Sequence, residues 1–309
     1  MLFRSKEMPR QLFPYVGGKY LVAPEINRRF GEIDTRIDAF TGSSSWILAS
    51  PPTKYEIVND LDGYVVNYLR AVKYAPDEVA RHLDFPRAEL ELIAYHHYTR
   101  DRLPELVARL GGDPDYYDPI LAARWVYVMA YKLDPSLTKP GGWSVRDGRL
   151  IYERGEGRIR GSMTSTPRLL ARLVNERHVF EYVAALAERL RGVQVFWNDF
   201  EVVAGKAKQP EFGVVGILLD PPYPRHLRDF DYDTDNAEVW QRAARWAIAN
   251  GDIPKYRIAV CGYNDADSDA LFPSDWRRFV WRRSGIGQYK DRECIWFSPH
   301  CGGGADDRR

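Results

Sequence analysis

Val214-Val215-Gly216-Ile217-Leu218-Leu219-Asp220-Pro221-Pro222-Tyr223 joins an apolar run to a polar, proline-stiffened tetrapeptide. A run of that length in Val, Ile and Leu predicts a strand buried in the sheet of an α/β protein. Such sheets bind ligands at the carboxyl ends of their strands, which is where Asp220 opens its loop. The four residues suit chemistry on an aromatic amine. The Asp220 carboxylate can accept amino protons. The prolines fix φ and hold a carbonyl that can face a substrate, and Tyr223 offers a flat face on which a base can stack. A strand followed by a stiff turn with a solvated aspartate is the plainer reading of the same residues.

Outward from this strand, β and α signals alternate on both sides of a helical middle. Arg36–Phe40, Tyr55–Asn59, Val193–Trp197, Arg257–Gly262, Phe279–Arg282 and Glu293–Phe297 read as further strands. Helices are predicted near Gly63–Tyr74, Pro167–Leu190 and Ala237–Ala249, and the pattern is helical from Asp77 to Lys132. Residues 140–162 are turn-rich and basic, with short alternating pieces that suit a β-hairpin. This describes an α/β domain interrupted by a mostly helical insertion, so the two outer segments must meet in one sheet.

The 309 residues, 45% hydrophobic, are enough for a sizeable core and predict two domains. No apolar stretch approaches the roughly 20 residues of a membrane span. Residues 1–6 lack the apolar core of a signal peptide, and the three cysteines (Cys261, Cys294, Cys301) argue against a disulfide framework. A cytoplasmic setting is expected. No His-Cys or multi-carboxylate ligand set appears, so no metal is expected.

Net charge is only +1, but its distribution is uneven. Nine basic residues between Lys139 and Arg177, among them Arg146, Arg149, Arg158 and Arg160, face only four acids there. A second cluster runs through Arg277, Arg278, Arg282 and Arg283. Arginine's fork suits phosphate and guanine, so Lys139, Arg146, Arg149, Arg158, Arg160, Arg282 and Arg283 are candidate DNA contacts. Solvated charged faces would look the same.

Three more constellations bear on a ligand. Phe13-Pro14-Tyr15-Val16-Gly17-Gly18-Lys19 has paired glycines that allow close backbone approach, and Lys19 can meet a carboxylate at the start of the next helix. Asp38-Ala39-Phe40-Thr41-Gly42-Ser43-Ser44-Ser45 is a small-residue turn from strand into helix, the arrangement that holds nucleotides in doubly wound folds. Asp60 closes the next strand 18 positions after Gly42, near the spacing at which an acid bonds ribose hydroxyls. Asp199 and Phe200, after another strand, can bond and stack an adenine ring, or serve as a helix cap and a core aromatic.

In this order the four pieces resemble the Dam-like DNA adenine methyltransferases, which use S-adenosylmethionine. The resemblance covers residues 9–75 and 190–299. It assigns Asp220, Pro221, Pro222 and Tyr223 to the catalytic tetrapeptide. Tyr15, Gly17, Gly18, Lys19, Phe40, Gly42, Ser43, Asp60, Asp199, Phe200 and Asp220 fall on cofactor-binding positions. The segment Arg282-Arg283-Ser284 resembles a late basic motif of the family. What it implies is a Rossmann-like methyltransferase sheet, with residues 1–75 and 190–309 as the catalytic domain. Residues 76–189 then form an inserted, mostly helical target-recognition domain carrying a β-hairpin. The implied reaction is methyl transfer to adenine N6 in flipped-out duplex DNA, without metal or membrane. One departure stands out: Ser44 occupies a position where the family usually has a second glycine. Cytosine-N4 or RNA-directed methylation, a catalytically decayed DNA-binding relative, and an enzyme on a small-molecule amine are the competing readings.

Overall fold

The computed structural model describes residues 13, 18–83, 89–131, 143–146, 149–152, 179–223, 238–281 and 293–303. Two compact units emerge from the packing. One comprises Gly18–Leu61, Gly192–Phe230 and Thr234–Arg309; the other comprises Met1–Gly17, Asp62–Arg191 and Asp231–Asp233.

The first unit is built on a seven-stranded sheet. Its strands are β1 (Thr35–Asp38), β2 (Tyr55–Asn59), β5 (Val193–Phe196), β6 (Val215–Leu219), β7 (Tyr256–Tyr263), β8 (Arg277–Val280) and β9 (Glu293–Phe297). They lie in the order β5-β2-β1-β6-β7-β9-β8. The first five are parallel, and β9 runs antiparallel to both neighbours. All five residues of β6 are buried, as its unbroken apolar run requires of a central parallel strand. Gly216 has a packing reason: a Cβ there would stand 2.6 Å from the Phe30 ring, at the end of helix α1 (Ala23–Phe30). The strand order reverses between β1 and β6, and such a switch point opens a crevice at the carboxyl edge of the sheet.

Predicted and observed strands agree closely in the centre of the sheet and less at its edge. The strand expected at Phe279–Arg282 is Arg277–Val280, two residues earlier. Edge strands accept charged residues, so its apolar residues alone mislead about where it begins. The chain also leaves β1 at Asp38, placing Phe40 in the turn that follows.

The second unit is helical: α3 (Gly63–Tyr74), α4 (Pro76–Leu83), α5 (Glu89–Gly112), α6 (Pro119–Tyr131) and α7 (Val179–Leu190). Helix α3 packs with these helices. Asp62 caps it by accepting from the Tyr64 N–H. The core centres on Trp125, with Tyr64 stacked on it at 5.8 Å and Phe13 edge-on at 4.7 Å. The expected hairpin is present as antiparallel strands β3 (Trp143–Arg146) and β4 (Arg149–Tyr152), in which Arg146 lies opposite Arg149. No helix among the described residues is long and apolar enough to cross a membrane.

Candidate active site

Because β5, β2, β1 and β6 are parallel, their carboxyl ends share one edge of the sheet. That edge gathers Asp38, Asn59, Asp60, Asp199 and Asp220. Asn59 ties three of the ends together. Its amide donates to the Ala39 and Asn198 carbonyls and its oxygen accepts from the Asn198 N–H, each at 3.0 Å. The residue at this position is invisible to motif reading, since its partners come from other strands.

The turn after β1 has Gly42 at φ 44° and Ser44 at φ 51°. Asp60 accepts from the Gly42 N–H at 2.8 Å, which links the expected ribose-binding acid to the expected glycine turn. Thr41 donates to Asp38 at 3.2 Å, and the Thr41 and Ser44 hydroxyls lie 2.8 Å apart. Ser44 thus holds a left-handed conformation natural to glycine, at a cost of about 1 kcal/mol. The hydroxyl bond offsets part of that cost. Ser44→Ala is therefore expected to be about 1 kcal/mol less stable than Ser44→Gly in chemical denaturation. The reverse order would show that the turn does not need this conformation.

Asp220 sits just past β6 in an enclosed cluster. The Lys19 ammonium lies 2.7 Å from Asp220 Oδ2 and donates to the Tyr223 hydroxyl at 3.3 Å. That hydroxyl donates to Asp220 Oδ1 at 3.2 Å, closing a triangle. Lys19 is held at its backbone. Its N–H donates to Ser45 Oγ at 2.6 Å, and its carbonyl accepts from Ala23 N at 2.8 Å as α1 begins. The lysine does meet a carboxylate, but on the Asp220 loop and not in the helix that follows it. Burial opposes the charge on Lys19, yet Asp220 and its neighbours outweigh it and hold the ammonium above the ordinary lysine range. For Asp220, burial raises proton affinity and Lys19 pulls it back, leaving a net rise. Burial, then the Asp220 charge, holds the Tyr223 phenol well above its usual value.

Asp38 is the acid that motif reading underweights. It is 2% exposed, and burial, reinforced by Asp220, pushes its carboxyl up to about 8. Its Oδ1 and the Ser43 hydroxyl have no hydrogen-bond partner among the described residues. Asp38 thus lies in the field of Asp220 and Asp60, with Lys19 offsetting part of it, an acidic setting that suits a cationic guest.

Asp199 and Phe200, the expected adenine contacts, stand at the start of a short helix after β5. Asp199 caps a short helix, α8 (Phe200–Ala204), and pairs with Arg242 at 3.1 Å. Phe200 is core, 3% exposed, and its ring packs tilted against Phe40 with centroids 5.0 Å apart. Phe40 is the half-buried ring of the two.

Gly18 is half-buried beside Lys19. Pro221 is buried, while Pro222 and Tyr223 are half-buried. Tyr15, Gly17, Lys139, Arg158, Arg160, Arg282 and Arg283 lie outside the described residues. Arg146 and Arg149 are placed in the hairpin by their backbone. No group of three or more His, Cys, Asp or Glu able to hold a metal occurs among the described residues. The chain matches no model of a known protein family, and no curated protein matches it significantly.

Proposed function

We propose that this chain transfers a methyl group from S-adenosylmethionine to adenine N6 in flipped-out duplex DNA. The observation that carries the reading is the seat at Asp220. A half-buried carboxylate at the switch-point edge already has a nitrogen cation at 2.7 Å, bracketed by a tyrosine hydroxyl. An incoming exocyclic amine needs the same acceptor geometry.

The surroundings fit the cofactor. Asp60 and the Gly42 turn would hold its ribose, and Asp38 Oδ1 with Ser43 Oγ would receive its ammonium and nearby donors. Bound there, S-adenosylmethionine supplies an electrophilic methyl carbon that leaves sulfur as the N–C bond forms. On this reading the sheet is a Rossmann-like methyltransferase sheet. The helical unit with its Arg146–Arg149 hairpin is the target-recognition domain.

The chain's own work is on the amine. The lone pair of N6 is delocalised into the purine and is a poor nucleophile. Asp220 and the Pro221 carbonyl accept its two hydrogens, which localises the pair and aims it at the methyl carbon. Both contacts strengthen as positive charge builds on nitrogen, so they act chiefly in the transition state. Asp220 is the nearby carboxylate able to take the proton released afterwards. Stacking on Tyr223 offsets part of the few kcal/mol needed to flip the base.

The deciding experiment incubates the purified chain with labelled S-adenosylmethionine and mixed-sequence duplex DNA, then identifies labelled nucleosides by mass spectrometry. N6-methyladenine supports the proposal. N4-methylcytosine, label only in RNA, or DNA binding without transfer would each replace it with one of the competing readings. Asp60→Ala is expected to weaken S-adenosylmethionine binding by about 10-fold or more by calorimetry, because a charged acceptor for the ribose and the anchor of the Gly42 turn are lost together. An unchanged dissociation constant would place the ribose elsewhere.

A further inference from the structure

Ser44 holds a left-handed backbone, φ 51°, where a β-carbon is crowded and glycine is not. Its hydroxyl is buried and lies 2.8 Å from Thr41 Oγ1. Thr41 Oγ1 in turn donates to Asp38 Oδ2 at 3.2 Å. A hydroxyl has a single proton, so with Thr41's directed at Asp38 the contact between the two hydroxyls is a donation from Ser44. The chain therefore runs one way, from Ser44 through Thr41 to Asp38 Oδ2. Thr41 is fixed on both sides of its backbone: its N–H donates to the Asn59 carbonyl at 2.8 Å, and its carbonyl accepts from the Ser44 N–H at 2.7 Å. The other carboxylate oxygen, Asp38 Oδ1, is buried with no hydrogen-bond partner among the described residues, as is the Ser43 hydroxyl in the same turn.

We propose that Ser44 and Thr41 are positioning residues whose chain of hydrogen bonds engages Asp38 Oδ2 and thereby reserves Asp38 Oδ1 for the ammonium of the cofactor. The inference rests on the methyltransferase reading and adds to it a use for a serine held in a glycine conformation. A carboxyl that accepts a donor on one oxygen keeps its own proton on the other. Before the cofactor binds, a neutral Asp38 therefore carries its proton on Oδ1. An incoming ammonium takes that place, and the proton leaves to solvent. The bond to Oδ2 strengthens with charge, so the same chain favours the carboxylate over the acid. The charged groups acting on Asp38 beside this chain are Asp220 after β6, Asp60 after β2 and Lys19 ahead of α1.

The test uses the full chain and two probes, S-adenosylmethionine and methylthioadenosine, which shares the adenosine and sulfur but lacks the amino-acid end. Calorimetry reads their affinities, and carboxyl-carbon NMR titration reads Asp38 in the ligand-free chain without any catalysis. Thr41→Val keeps the shape and removes the donor. It should raise the Asp38 midpoint by about one pH unit and weaken S-adenosylmethionine about 10-fold, leaving methylthioadenosine within about 2-fold of wild type. Thr41→Ser should restore both the midpoint and the affinity. Ser44→Gly separates positioning from stability: it relaxes the turn, yet should weaken S-adenosylmethionine about 3-fold by leaving Thr41 without its donor. An unmoved Asp38 midpoint, or equal losses for the two probes, would overturn the proposal. A lowered midpoint would overturn it as well, since Asp38 would then donate to Thr41 and the chain would run the other way. If the wild type binds neither probe, the cofactor reading falls and takes the assigned guest with it, while the titration still decides whether Ser44 and Thr41 set Asp38.

Discussion

On the proposed methyltransferase reading, Asp220→Ala is expected to abolish methyl transfer, lowering turnover by at least about 10³-fold, while the dissociation constant for S-adenosylmethionine changes little. The size follows from what is removed, a charged acceptor whose bond strengthens only as the amine becomes cationic, worth about 3–4 kcal/mol in the transition state. The same change has a second consequence that must be separated from the first. Lys19 is 4% exposed in its side chain, and Asp220 is its 2.7 Å partner. Alanine at 220 leaves an ammonium buried against fewer charges, so the folded state should lose about 3 kcal/mol. A dead and unstable variant would be ambiguous. A companion double variant resolves it: Asp220→Ala with Lys19→Met removes both charges and should recover most of the stability, because replacing a buried pair by apolar groups is often neutral. It should recover none of the activity. Thermal melts and single-turnover assays on the same preparations check both halves. Substantial turnover in either variant would sink the role given to Asp220.

The sheet was legible because each central strand is a short apolar run bounded by turn residues, and β6 is the clearest of them. The Asp220 tetrapeptide was legible for the same reason, being attached to that run. Its pairing with Lys19 was not. Lys19 and Tyr223 are 204 positions apart, and no periodicity connects them; only closure of the sheet between outer segments does. The order at the sheet's edge was not legible either, because β9 inserts between β7 and β8 against the direction of both, a placement that local pattern does not encode. Asp199 and Phe200 are legible as positions, and the fold adds that Asp199 caps a helix and that Phe200 is a core ring, roles compatible with the expected contact to an adenine. Asp38 was in plain view within the turn motif. What singles it out is depth, and depth depends on β2 and β6 lying on either side of β1.

That depth makes Asp38→Asn the more informative of the remaining substitutions. In the folded chain the Asp38 carboxyl is pushed up to about 8, against an ordinary value of 3.8 when unfolded. Between those values the folded state keeps a proton that the unfolded state has lost. Stability therefore falls as pH rises across this window and levels off above it. Asparagine mimics the protonated acid and carries no such penalty. The variant should accordingly match the wild type near pH 4 and become more stable than it toward pH 8, by an amount on the order of a few kcal/mol. Ligand binding should move the other way. A cationic cofactor favours ionised Asp38, so wild-type affinity for S-adenosylmethionine should rise between about pH 5 and pH 7.5, and the variant should bind about 10-fold more weakly without that rise. Denaturation curves and calorimetric titrations at the same pH values test both trends. If stability and affinity instead change in parallel, or neither depends on pH, Asp38 is a structural residue of the turn and the cofactor's ammonium is held by another group.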